Sequence, residues 1–148
     1  MRESRSRADA SCSATVVDKL KEFGHDHLLP VAFHWDEEKR TMLCVDPKGQ
    51  LVGEWSDEEE LQSYLSTLVP WNSKCMFDGL SVCAWRELPV TYIQTLQDGI
   101  VPIDYQKSMV AMMEKEGRSV QVFELQTAHC PNLTAPDQVV DLVNKVAA

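Results

Sequence analysis

The chain has 148 residues, the length of one domain with one hydrophobic core. With 44% hydrophobic and 25% charged residues, six Gly and seven Pro, its composition excludes disordered and fibrous classes. Fourteen Lys and Arg against 23 Asp and Glu leave a net charge of −9, the wrong sign for a nucleic-acid backbone, and no apolar run nears the roughly 20 residues that span a bilayer.

The stretch over residues 1–13 is rich in Arg, Ser and Ala, but Glu3 and Asp9 interrupt it, and transit peptides are poor in acids. It reads as a disordered tail. Val16, Val17, Leu20 and Phe23 then space out one amphipathic helix, stopped by Gly24. His25-Asp26-His27 and, further on, His34 fall in loops. An H-x-H pair can ligate metal, but no third ligand stands out, so neither a metal nor a cofactor is expected.

Residues 41–52 read as two short extended pieces around Pro47-Lys48-Gly49. Ser56 through Glu59 has the pattern of a capping box opening a helix, and acids in a first turn suit the helix dipole. Leu61, Tyr64, Leu65 and Leu68 line one face of that helix, which Pro70 ends. Capping accounts for the acidic run without a catalytic carboxylate pair.

After a poorly patterned stretch, Val90 to Leu96 is a run of β-formers that stops at Gln97-Asp98-Gly99. Ile103 to Lys115 reads as a helix burying Tyr105, Met109, Met112 and Met113, closed by Gly117. Val120, Val122, Phe123 and Leu125 make another strand, followed by a polar loop with His129. Pro136 opens a last helix with the stripe Val139, Val140, Val143 and Val146.

The last 60 or so residues therefore form a βαβα unit, which requires a parallel strand pair and a right-handed crossover. Functional groups in such sheets gather at the carboxyl ends of the strands. Asp98 and His129 each follow one of the two strands, so they are the candidate catalytic residues. The five cysteines (Cys12, Cys44, Cys75, Cys83 and Cys130) are odd in number and lack C-x-x-C spacing. With no apolar signal segment, they are expected to be reduced thiols of a cytoplasmic protein.

Several stretches carry a likeness to a known family. They are Ala84-Trp85-Arg86-Glu87-Leu88-Pro89-Val90-Thr91-Tyr92, Gln97-Asp98-Gly99-Ile100-Val101-Pro102, Tyr105-Gln106 and His129-Cys130-Pro131, with Pro136 beyond. They resemble the C-terminal part of the α/β-hydrolase fold, in particular the small esterases related to plant methylesterases, hydroxynitrile lyases and their fungal relatives. The resemblance covers most of residues 28–148.

Together with the tail read from composition over 1–13, it divides the chain into a lid-like helical segment over 14–88 and the βαβα part over 89–148. It also implies that Asp98 orients His129 and that His129 is the general base for a serine attacking an ester carbonyl. Members of that family commonly have Gly before the histidine and Ser after it, where this chain has Ala128 and Cys130.

The nucleophile elbow G-x-S-x-G has no counterpart. Gly79-Leu80-Ser81-Val82-Cys83 imitates it without a preceding strand, and Cys130 adjoins His129 too closely in sequence to face it. Three functions follow from the resemblance. The chain is a truncated or non-esterolytic hydrolase for a small ester or similar metabolite, or an acid/base lyase, isomerase or cyclase using Asp98 and His129, or a binding module. The expected partners are a small-molecule ligand and a second copy or complementary chain at the open edge of the Val90 strand, with no nucleic acid and no membrane.

Overall fold

The computed structural model of the protein describes residues 14–148, so the tail expected over residues 1–13 lies outside the described residues. In the C-terminal unit, β4 (Val90–Thr95) and β5 (Val120–Leu125) pair in parallel, from Val90↔Val120 to Thr95↔Leu125. Their β-branched and aromatic residues suit a pleated, half-buried surface. The crossover between them is α4 (Ile103–Lys115). Gly117, at φ +84°, takes a left-handed turn that a residue with a Cβ resists, and the chain then re-enters the sheet.

The buried face of α4 is Tyr105, Gln106, Val110 and Met113. Met109 and Met112, expected there, are only partly covered. The helix is rotated so that the Gln106 amide reaches β4, where its hydrogen bonds offset the cost of burying it. Beyond β5 come α5 (Pro131–Thr134) and α6 (Pro136–Ala147). The valine stripe of α6 is largely uncovered, with Val140 and Val143 each 55% exposed.

The segment before β4 holds more strand than expected. It begins with α1 (Val16–Glu22), where the Thr15 hydroxyl accepts the Asp18 amide and the Asp18 carboxylate accepts the Thr15 amide, a reciprocal cap. A short α2 (Leu29–Ala32) leads into β1 (Phe33–Asp36), so His34 lies in a strand rather than a loop. The strands β2 (Thr41–Cys44) and β3 (Trp71–Asn72) complete an antiparallel sheet in the order β1-β2-β3. Its apolar face packs Val17, Met42 and Met76 against Leu20, Leu29, Phe33, Trp35 and Trp71.

Two local expectations are corrected. Lys48–Val52 is a π-helical turn, not an extended piece. The Asp46 carboxylate accepts the Gly49 amide at 3.0 Å and its carbonyl accepts the Gln50 amide at 2.9 Å, which starts a helical turn where alternation suggested a strand. The next helix, α3 (Glu58–Leu65), is capped by Asp57 rather than Ser56, its carboxylate accepting the Glu60 amide at 2.9 Å. Leu61 on this helix is fully buried.

Cys44, Cys75 and Cys130 are free, but Cys83 is disulfide-bonded, which corrects the expectation of five reduced thiols. Spacing along a chain says nothing of which thiols the fold brings together, and such a bond is uncommon in a reducing cytoplasm. Among the described residues no helix is long and apolar enough to cross a membrane.

The two segments meet along the first two turns of α4. At its start, Tyr105 stacks on Phe23 with ring centroids 4.3 Å apart, and its hydroxyl bonds His25 Nδ1 at 2.7 Å. One turn on, Lys19 Nζ donates to Ser108 Oγ at 3.2 Å.

The core of the first segment centres on Met42, 1% exposed. Met42→Ala should cost about 2–4 kcal/mol in urea unfolding, and Val143→Ala on the exposed stripe under about 0.5 kcal/mol. Equal losses would show that this core is not where the stability resides.

Candidate active site

Asp98 sits in the turn leaving β4, and its carboxylate gathers donors from three directions. Its Oδ1 accepts the Ile100 amide at 2.9 Å and the Val101 amide at 2.8 Å. Its Oδ2 accepts Thr95 Oγ1 and binds His129 Nδ1, both at 2.9 Å. The side chain is only 3% exposed. Burial pushes its carboxyl up, but the bonds from His129, Val101 and Thr95 outweigh that and hold it below the usual 3.8.

The Thr95 donor is itself held. Gln106, 2% exposed, accepts the Thr95 amide at 2.9 Å and donates to the Thr95 carbonyl and hydroxyl, each at 3.0 Å. Its amide nitrogen also lies 2.8 Å from the Val101 carbonyl, so it ties the end of β4 to the far side of the Asp98 turn. The sequence assigned no role to Thr95, and Gln106 entered only as part of the family likeness. The available signal was a glutamine one residue after an inward-facing tyrosine, opposite a strand that ends in Thr.

His129 leaves β5 on the loop Gln126-Thr127-Ala128, and its side chain is 35% exposed. With Nδ1 donating to the carboxylate, Nε2 is left as an acceptor without a hydrogen-bond partner among the described residues. The bond to Asp98 favours the protonated ring and raises the histidine above its usual 6.5, against burial, which lowers it. A neutral imidazole with its rear nitrogen fixed by a carboxylate, and its front nitrogen open, can take a proton from a bound molecule.

The other sequence candidates stand elsewhere. His25 is engaged by Tyr105, and no cluster of three or more metal-ligating side chains occurs among the described residues. Ser81 lies in an irregular loop, with neither a strand before it nor an α-helix after it. Cys130 follows His129, beside the Tyr64 hydroxyl, and burial pushes its thiol up, so it is protonated and weakly nucleophilic at neutral pH.

The fold is α/β, and it is shared with a hydrolase. Two crystal structures of a novel pyrethroid hydrolase, PytH, one of them with BIF, match 82% of this chain and 48% of their own at TM-scores of 0.54 and 0.53. At 21% sequence identity that is a likeness of fold. A "probable hydrolase R7" of Phoma sp. (strain ATCC 20986 / MF5453) is 31% identical over 64 residues, which are 43% of this chain and 26% of that protein. The chain thus spans about a quarter of that curated relative and about half of the solved chains. No family model matches it.

The two shifts set a pH dependence of stability. Asp98, lowered on folding, contributes support that is present above 3.8 and lost as pH falls through its folded value. His129, raised on folding, contributes support that is complete below 6.5 and lost as pH rises through its folded value. The pair therefore supports the fold most between 3.8 and 6.5. Urea titrations should show the wild type losing stability relative to His129→Gln as pH climbs past 6.5; parallel profiles would contradict this.

Proposed function

We propose that Asp98 and His129 are the acid–base unit of a hydrolase-type site for a small ester or similar metabolite. Residues 89–148 carry the unit, and residues 14–88 cover it as a lid. The observation that carries this reading is the open Nε2 of a histidine whose Nδ1 is fixed, at 2.9 Å, by a buried and saturated carboxylate. The fold likeness to a hydrolase and the short identity to a probable hydrolase point the same way.

The 148 residues hold no G-x-S-x-G elbow, so within this chain His129 works without an acyl-enzyme. It takes a proton from water attacking the ester carbonyl, Asp98 stabilises the imidazolium, and the imidazolium returns the proton to the alkoxide as the ester C–O bond breaks to acid and alcohol. The same absence favours a second reading, in which Nε2 takes a proton from the substrate itself in an elimination, isomerisation or cyclisation.

With p-nitrophenyl acetate the expected result is slow turnover without a burst, rising with pH through the raised histidine value. His129→Ala should reduce it on the order of 100-fold, and Ser81→Ala and Cys130→Ala should leave it intact. A stoichiometric burst abolished by either of those two changes would overturn the assignment. No turnover on the ester, with His129-dependent turnover of an eliminating substrate, would select the second reading.

We further propose that a second copy adds to β4, which is hydrogen-bonded on one side only among the described residues. Light scattering at micromolar concentration should give twice the 16.7 kDa of the chain; a clean monomer would refute this.

A further inference from the structure

The π turn over Lys48–Val52 and the glycine after it touch the chain on both sides of the acid–base pair. The Leu51 carbonyl accepts the Cys130 amide at 3.0 Å, immediately after His129. A Cβ on Gly53 would lie 2.9 Å from the Cβ of Ala128, immediately before His129. The Gly49 carbonyl oxygen lies 3.9 Å from where a Cβ on Gly99 would stand, immediately after Asp98. The turn is itself immobilised. Its closing bond runs from the Gly53 amide to the Lys48 carbonyl at 2.8 Å, and Val52 is buried beneath it.

From this juxtaposition we infer that Gly53 is a positioning residue: its bare Cα sets where Ala128, and with it the His129 ring, sits against Asp98. The inference rests on the reading of Asp98 and His129 as the working pair. Carbon atoms in contact settle at about 3.5–4.0 Å, so a methyl group on Gly53 would displace Ala128 or the turn by about 0.6 Å or more. Ala128 is buried, and the Cys130–Leu51 bond fixes the turn to the other flank of His129, so neither side yields freely. A hydrogen-bonded pair tolerates shifts of only about 0.5 Å before its geometry is lost. Gly53 also has φ +75°, which glycine alone adopts without strain, so two properties of one residue converge on the loop that holds the histidine.

The imidazole of His129 reports this directly, through its nitrogen chemical shifts in isotope-labelled protein titrated without substrate. In Gly53→Ala the midpoint should fall toward 6.5, and the low-field proton of the Nδ1–Asp98 bond should shift upfield or vanish. Adding Ala128→Gly removes the opposing methyl but not the backbone strain, so the double variant should recover the wild-type midpoint. A folded Gly53→Ala with a wild-type midpoint, or a lowered midpoint that Ala128→Gly does not restore, would overturn the proposal. Should Gly53→Ala not fold, Ala128→Val puts the extra volume on the other side of the same contact and leaves the glycine unstrained; a wild-type midpoint there overturns it equally. The titration needs no turnover, so it is decided separately from the ester assay.

Discussion

The Asp98 carboxylate is nearly cut off from water, and it remains ionised because four donors converge on its two oxygens. That constraint fixes most of what surrounds it. The amides of Ile100 and Val101 can reach Oδ1 only if the chain turns sharply after β4. The Thr95 hydroxyl can reach Oδ2 only if the last residue of that strand keeps its register. Gln106 guarantees that register from the opposite element, and a hydrophobic side chain in its place would strand the Thr95 and Val101 groups that it now satisfies. The helix is oriented by that amide as much as by its apolar residues.

The site is assembled from two kinds of contact. Those within the βαβα unit are local, and they decide that an acid and a histidine lie at the same end of a parallel pair. Those from the first segment come from far along the chain and decide the finer placement, through Leu51 and Gly53 on the histidine loop and Gly49 beside the acid turn. The first segment is anchored independently at the start of α4, where Tyr105 receives both Phe23 and His25. The first segment is thus tied to the βαβα unit at two separate places, on helix α4 and on the loop that carries His129.

The parallel pair and the positions of Asp98 and His129 were readable because their signals are short-range: a β-forming run, a turn residue, an amphipathic helix and a second run. Gln106 was not, since a polar residue on an amphipathic helix reads as solvent-facing until its partner is known. Gly53 was not, because its role depends on the approach of Ala128, which no local window contains. The π turn was misread because Leu51-Val52 after a Pro-Lys-Gly sequence looks extended, whereas the Asp46 carboxylate captures the Gly49 amide and starts a helical turn. The capping-box pattern pointed to Ser56, but the Asp57 carboxylate, one residue on, accepts the Glu60 amide instead.

The uncovered valines of α6 and the one-sided pairing of β4 have a colloidal consequence. Molecules carrying such surfaces stay apart in solution largely through like-charge repulsion. Here the net charge of −9 at neutral pH dwindles to nothing near pH 4.8. That acidity falls inside the interval from 3.8 to 6.5 in which the Asp98–His129 pair contributes most to the folded state. Conformational integrity and dispersal are thus set against each other: acidifying a solution toward pH 4.8 keeps the pair intact while withdrawing the repulsion that separates one molecule's open strand and valine stripe from the next.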